Sequence, residues 1–107
     1  WIYNFQELKN EADFVILFGS VIHSPEKAQD IDIINIANKK RFIKIQKILD
    51  KIQKTQDKKI HSINFTEQEF LHELLKNNKA FIDAARKGII LFGHDNFINL
   101  IKKADKK

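Results

Sequence analysis

The sequence predicts an α/β (α+β) fold with a small mixed sheet of about four strands flanked by helices. Short apolar runs of strand length alternate along the chain with amphipathic stretches that carry helix-capping signals. With 107 residues, the chain is expected to form a single domain, residues 1–107, around one hydrophobic core.

The first two predicted strands lie within residues 13–36. Phe14–Phe18 is an uninterrupted apolar run, which is typical of a strand buried on both faces. Gly19 and Ser20 end this run, and a polar loop follows. From residue 30 the pattern alternates, so Asp30 and Asp32 should share one face of a second strand while the isoleucines occupy the other.

The first half of the chain also predicts two helices. Residues 3–12 carry apolar side chains at helical spacing and lead into the first strand. Asn38 is a suitable N-cap for a long helix that ends at about residue 56. Its apolar residues, Ile45 and Leu49 among them, recur at helical spacing and predict a buried face.

The second half of the chain predicts two more strands and three helices. The strands are Lys59–Phe65 and Ile89–Phe92. Thr66 begins a capping box at the start of one helix. A second helix should end at Gly88, in the C′ position where glycine usually adopts a left-handed conformation. Asp95 is the expected N-cap of the last helix.

The composition excludes several classes of protein. The chain has no cysteine, which rules out disulfides, thiol catalysis and cysteine-based zinc sites. No apolar run approaches the length of a transmembrane helix, and the first residues do not resemble a signal peptide. We therefore expect a cytoplasmic protein without a membrane partner. What precedes Trp1 stays open, because the chain contains no methionine.

The net charge of +5 comes almost wholly from lysine, since Arg41 and Arg86 are the only arginines. A basic surface attracts polyanions such as nucleoside triphosphates and nucleic acids. Lysine lacks the planar fork with which arginine binds base edges. The charge therefore favours anion binding without sequence-specific DNA recognition.

Lysines also recur along one side of the predicted long helix, at spacings of four and three. They are Lys40, Lys44, Lys47, Lys51, Lys54 and Lys58. Such a lysine stripe predicts either a surface for nucleic acid or an acidic partner, or simply a solvated helix face. Few aromatic residues fall outside core positions, so direct nucleic-acid binding ranks last among the functional hypotheses.

Asp30 and Asp32 are unusual neighbours on one strand face, because their like charges repel and aspartate is a poor strand residue. A divalent cation, Mg²⁺ or Mn²⁺, would remove that cost, since such ions take carboxylate ligands together with substrate phosphates. Gly19 and Ser20 supply a close backbone approach and a hydroxyl donor for phosphate. Together these residues predict a nucleotide site.

Phe18-Gly19-Ser20, nine intervening residues and Asp30-Ile31-Asp32-Ile33 resemble the signature of the DNA polymerase β-like nucleotidyltransferase superfamily. The small size of the chain is similar to that of its minimal nucleotidyltransferase branch. The resemblance implies transfer of a nucleoside monophosphate from an NTP, with ATP expected, to a hydroxyl acceptor. It assigns the phosphates to Gly19 and Ser20, and the metal and catalysis to Asp30 and Asp32.

The loop of residues 21–29 departs from the family pattern. Family members often have a basic residue and a glycine early in this loop, whereas this chain has His23 and Ser24-Pro25. Lys27 is the loop's one permanent cation. His23 either contacts a phosphate when protonated or is simply solvated.

The family's third carboxylate is also missing. The resemblance implies an acidic residue within Lys59–Phe65, and that stretch contains no aspartate or glutamate. His61 and Asn64 are the candidate substitutes, and His61 is the one that could act as a base. The sequence therefore leaves two hypotheses: an active metal-dependent nucleotidyltransferase, or a catalytically degenerate module that binds a nucleotide or a partner protein.

The resemblance implies two settings for such a domain. One is pairing with a small helical partner protein in a toxin–antitoxin-like module, where the degenerate form would have an antitoxin-like or regulatory role. The other is fusion to a DNA-binding winged helix. The sequence does not choose between them.

Overall fold

Four β-strands form one mixed sheet, which confirms the predicted fold class. The structure is a computed structural model that describes the backbone of residues 2–105 and the side chains of residues 5–105. The strands are β1 (Phe14–Phe18), β2 (Asp30–Ile36), β3 (Lys59–Phe65) and β4 (Ile89–Phe92). They lie in the order β3-β2-β1-β4. β1 runs antiparallel to both β2 and β4, whereas β2 and β3 are parallel.

Helices of two kinds connect these strands. The α-helices are α1 (Phe42–Gln53), α2 (Glu67–Leu75), α3 (Lys79–Lys87) and α4 (His94–Asp105). The 3₁₀ helices are the N-terminal helix Ile2–Asn10, the Gly-Ser turn Gly19–Ile22, and Lys39–Arg41, which runs directly into α1. Across residues 2–105, no helix combines the length and apolar character that a bilayer crossing requires.

The sheet separates two hydrophobic cores. Parallel pairing of β2 and β3 requires a crossover connection, and α1 provides it on one face of the sheet. There α1 and the N-terminal 3₁₀ helix cover one core, whose buried members include Phe5, Leu8, Leu17, Ile31, Ile33, Ile45 and Leu49. Helices α2, α3 and α4 contribute to the other core, whose buried members are Phe14, Ile16, Ile34, Ile36, Phe70, Ala84 and Leu100.

Edge-to-face phenylalanine pairs stabilise the second core. Phe14 packs against Phe70 and Phe97, with ring centroids 6.0 and 5.5 Å apart. Phe81 packs in the same way against Phe65 and Phe70, at 5.0 and 5.7 Å. Each such pair contributes about 0.5–1.5 kcal/mol beyond the area it buries. These contacts link β1 and β3 to α2, α3 and α4.

Two predicted helices differ in extent from the observed ones. The helix predicted at residues 3–12 is the 3₁₀ helix Ile2–Asn10. The long helix ends at Gln53 rather than near residue 56. The side chain of Gln53 donates to the Lys58 carbonyl at 2.9 Å and accepts from the Ile60 amide at 2.8 Å, which ties this end of α1 to the start of β3.

The predicted caps had mixed outcomes. The capping box at Thr66 is confirmed. Asn38 caps the 3₁₀ helix Lys39–Arg41 that leads into α1, because its side chain accepts from the Lys40 amide at 3.0 Å, whereas α1 itself begins after Arg41 without a side-chain cap. Asp95 does not cap α4, because the helix already begins at His94 and Asp95 lies in its first turn. An acidic side chain there still interacts favourably with the helix dipole.

Gly88 ends α3 as predicted, but its conformation is extended (φ −69°, ψ 164°) rather than left-handed. Glycine is required there for a different reason. A Cβ at this position would lie 2.6 Å from Ile16 Cγ2 and 2.4 Å from the Ala84 carbonyl oxygen. The close approach of α3 to β1 therefore excludes a side chain.

Candidate functional site

The Gly-Ser turn and the aspartate pair meet where β1 ends and β2 begins. Phe18 pairs with Asp32 in the antiparallel register, so Gly19 follows directly beside that aspartate. A Cβ on Gly19 would lie 2.4 Å from Asp32 Oδ2, and Gly19 has a positive φ of 80°. Both the space and the backbone conformation therefore require glycine here.

Asp30 and Asp32 lie on the same face of β2, as the alternation predicts. Both are partly exposed, while Ile31 and Ile33 are completely buried on the α1 face. The aspartates share their face with the α2–α4 core but lie at the open start of the strand. The two carboxylates are thus accessible from solvent and lie on a rigid strand.

Ser20 is exposed, and the backbone around it is held by hydrogen bonds. Its carbonyl accepts from the amides of His23 at 3.1 Å and Ser24 at 2.9 Å. The turn therefore presents the exposed Ser20 side chain on a fixed backbone, one residue after Gly19. A hydroxyl so placed is available to donate to an anion.

β3 places a histidine where the family resemblance implies a third carboxylate. In the parallel register Asp30 is opposite Lys59 and Asp32 is opposite His61. His61 Nε2 lies 3.5 Å from Asp30 Oδ1, and both side chains are about half exposed (49 and 48%). The structure thus brings His61 together with the aspartate pair.

Asn64, the other candidate substitute, lies elsewhere. It lies three positions after His61, so it points to the opposite face of β3. There its Oδ1 accepts a hydrogen bond from Asn35 Nδ2 at 3.0 Å, and Ser62 Oγ accepts another from the same nitrogen at 2.8 Å. Asn64 is therefore not part of the aspartate site; it belongs to a polar contact between β2 and β3.

Two clefts flank Phe18 on the site side of the molecule. The β3 cleft, of about 400 Å³, is lined by Asp32, Lys59 and His61 among others. The α3 cleft, of about 370 Å³, lies between the Gly-Ser turn and α3 and is lined by Phe18, Gly19, Ile22, His23, Ala80, Asp83, Ala84, Lys87 and Gly88. The site therefore offers separate openings on its two sides.

The donor set fits one divalent cation. Asp30 and Asp32 are hard oxygen ligands on one face, and Mg²⁺ is commonly held by one or two carboxylates plus substrate phosphates and waters. Among the residues that the structure describes, no group of three or more His, Asp or Glu side chains is arranged to hold a metal.

Sequence reasoning missed the contribution of α3. The side chains of Asp83 and Lys87 line the same cleft as Gly19, although they lie more than 60 residues away along the chain. The only sequence signal was Gly88 next to an apolar strand. It predicted the end of a helix but not that this end lies beside the Gly-Ser turn. The proximity depends on how β4 pairs with β1.

Part of the lysine stripe has partners within the chain. Lys44 Nζ lies 3.2 Å from Glu11 Oε1, and Lys51 Nζ lies 3.5 Å from Glu7 Oε1. The amine of Lys58 contacts the Ala28 carbonyl. The stripe thus serves in part to join α1 and its neighbouring loop to the rest of the fold. Binding of nucleic acid by the remaining lysines stays a prediction.

Comparison with known proteins identifies the family of the chain. No curated protein matches the chain significantly. The model of the family described as "Polymerase beta, Nucleotidyltransferase" matches residues 2–94, a segment that includes the Gly-Ser turn, the aspartate pair and all four strands. The chain therefore belongs to the polymerase beta nucleotidyltransferase family.

Proposed function

We propose that this domain transfers a nucleoside monophosphate from an NTP, with ATP as the expected donor, to a hydroxyl group on an acceptor. One observation carries the proposal. The Asp32 carboxylate lies against Gly19, so close that a Cβ on this glycine would be 2.4 Å from Oδ2. A candidate ligand for a cation and the backbone of the Gly-Ser turn are therefore side by side.

Each site residue has a role in this proposal. Gly19 lets the phosphates approach the backbone, and the exposed Ser20 hydroxyl donates a hydrogen bond to a phosphate oxygen. Asp30 and Asp32 would hold Mg²⁺ or Mn²⁺ together with phosphate oxygens. A bound cation of this kind neutralises phosphate charge and stabilises the departing pyrophosphate.

The transfer itself is an in-line displacement. The acceptor oxygen forms a bond to the α-phosphorus while the bond from that phosphorus to the bridging oxygen breaks, and pyrophosphate leaves with the electron pair. The proton of the acceptor hydroxyl passes to the imidazole of His61, which lies beside the aspartate pair and lines the β3 cleft. The acceptor would accordingly enter from the β3 cleft.

A second candidate function is favoured by the composition of β3. That strand has no acidic residue, and the described part of the chain has no group of three or more His, Asp or Glu side chains placed to hold a metal. A domain of this kind would bind a nucleotide or a partner protein without transferring a nucleotide. A small helical partner in an antitoxin-like or regulatory pair, or a fused DNA-binding domain, would then provide its setting.

Calorimetric titration separates these possibilities. ATP and the other NTPs are titrated with and without Mg²⁺ into the wild type and the Asp30→Asn/Asp32→Asn variant. We expect metal-dependent binding by the wild type and none by the variant. Pyrophosphate release in the presence of candidate acceptors then distinguishes an enzyme from a binding module. Absence of binding to any NTP would overturn the proposed nucleotide site.

A further inference from the structure

The C-terminal end of α3 lies beside the Gly-Ser turn. β1 and β4 pair antiparallel, with Leu17 opposite Ile89. If this register is continued toward the end of β1, Gly88 falls beside Phe18 and Lys87 falls beside Gly19. The α3 cleft agrees with this placement, since Gly19 and Lys87 both line it.

Tight packing fixes this end of α3. A Cβ on Gly88 would lie 2.6 Å from Ile16 Cγ2 and 3.0 Å from the Leu17 carbonyl oxygen, so the backbone of residue 88 is pressed against β1. The amide of Gly88 also donates to the Ala84 carbonyl at 2.9 Å. Lys87 is therefore anchored next to the turn and is not on a loose segment.

Lys87 also supplies a charge that the turn lacks. It is exposed and takes part in none of the ion pairs found among residues 2–105. Lys27, the permanent cation of the loop after the turn, lines a different cleft together with Glu26 and Asp30. His23 is the other basic side chain that lines the α3 cleft.

We propose that Lys87 binds the polyphosphate of the nucleotide, so that α3 provides the cation that the loop of residues 21–29 does not place at the turn. The inference rests on the proposed function, because it assigns a further contact to the same nucleotide. A lysine ammonium at a partly enclosed phosphate makes a charge-assisted hydrogen bond stronger than a neutral one. The polyphosphate accordingly extends from Gly19 and Ser20 into the α3 cleft.

Asp83 lines the same cleft, and its carboxylate repels an anion. Asp83 lies one helical turn before Lys87, so it is one turn farther from the end of α3 that reaches Gly19. The proposal thus places the phosphates at the Lys87 end of the cleft. Removal of the Asp83 charge should strengthen phosphate binding or leave it unchanged.

The experiment compares Lys87→Gln with Arg86→Gln. Both residues are exposed cations in the last turn of α3, so both changes affect the helix dipole alike, but Arg86 does not line the cleft. Inorganic tripolyphosphate and ATP, each with Mg²⁺, are titrated into the wild type, both variants and Asp83→Asn. Urea unfolding of each variant checks that it remains folded.

We expect Lys87→Gln to weaken binding of both ligands about tenfold, as the loss of one hydrogen bond to a charged group predicts. Arg86→Gln should bind like the wild type, and Asp83→Asn at least as tightly. If Lys87→Gln binds both ligands like the wild type, the proposal is wrong while the nucleotide site stands. A loss for ATP alone would also refute the phosphate contact. If the wild type binds neither ligand, the proposed function fails as well.

Discussion

The two ends of β2 accommodate polar side chains in opposite ways. At its start Asp30 and Asp32 are partly exposed, and the nearest partner of Asp30 is His61 on the edge strand β3. Toward its end Asn35 is completely buried, but its amide nitrogen donates to both Ser62 and Asn64. A buried polar group requires such partners, whereas an exposed charged pair can await a ligand. The difference separates the proposed functional end of β2 from its structural end.

Asp32→Asn should show the largest effect, and it should be confined to function. We expect nucleotide transfer to fall about a hundredfold or more, because charge stabilisation by a bound cation is worth several kcal/mol. The free energy of unfolding should stay within about 0.5 kcal/mol of the wild type or rise, since a half-exposed like-charge pair is relieved. Metal-dependent pyrophosphate release and urea unfolding measure the two quantities. A variant that unfolds more easily by 2 kcal/mol or so would make Asp32 a structural residue instead.

Gly19→Ala should affect both function and stability, because Gly19 joins the turn to Asp32. The positive φ alone costs a side chain about 1–2 kcal/mol, and the new Cβ would displace the Asp32 carboxylate. We expect a lower urea midpoint together with weaker Mg²⁺-ATP binding by the folded protein.

Gly93→Ala is the matched control for this substitution. Gly93 also has a positive φ, of 79°, and a Cβ there would lie 1.9 Å from the Asp13 carbonyl oxygen. Gly93 does not line either cleft of the site. Gly93→Ala should therefore destabilise the fold without weakening ATP binding by the folded fraction. Equal losses of affinity in the two variants would show that the Gly19 effect is not local.

Asn35→Ala should show the opposite behaviour to Asp32→Asn. It removes two hydrogen bonds between β2 and β3, and we expect the free energy of unfolding to fall by about 1–2 kcal/mol. The loss is moderate because Asn35 Oδ1 has no hydrogen-bond partner among the described residues. Affinity for Mg²⁺-ATP should not change. Ser62→Ala removes one of the two acceptors and should cost roughly half as much stability. Reduced nucleotide affinity in either the Asn35 or the Ser62 variant would contradict the division of β2 into two ends.

The functional end of β2 was largely predictable from the sequence. β1, β3 and β4 have the predicted limits because each is an apolar or alternating run bounded by turn residues. The shared face of Asp30 and Asp32 follows from the two-residue period of a strand. The same period would have separated His61 from Asn64, since residues three apart on a strand lie on opposite faces.

The contribution of α3 was not predictable, because it depends on long-range pairing. The register between β1 and β4 shifts between Val15 and Ile16, and no local pattern encodes such an irregularity. Gly88 illustrates the limit. Its position at the end of a helix was evident, but its extended conformation results from contact with Ile16, which lies on a distant strand.

Acid should lower stability mainly at the structural end of β2. This effect should be smaller than those of the substitutions at Asp32, Gly19 and Asn35. The Asp13 amide donates to the Ile36 carbonyl at 2.7 Å, so the segment just before β1 borders that end. Within this segment Glu11 lies 3.2 Å from Lys44 and 3.0 Å from Arg41. The hydrogen bond from Lys44, aided by that from Arg41, lowers the pKa of the Glu11 carboxyl below its usual 4.5.

A carboxyl whose pKa is lowered by folding stabilises the fold above its unfolded pKa, and this contribution fades as the pH falls through the lowered value. Glu11→Gln should therefore have a slightly lower urea midpoint than the wild type at about pH 7, and the difference should shrink as the pH falls below the usual value of 4.5 and through the lowered pKa. Glu26→Gln is the control, because Glu26 is exposed and has no ion pair among residues 2–105. A midpoint difference for Glu11→Gln that persists at the lower pH would mean that the side chain acts through packing rather than through its charge. The contact of Glu11 with its neighbours would then resemble the Asn35 hydrogen bonds between β2 and β3, which do not depend on pH.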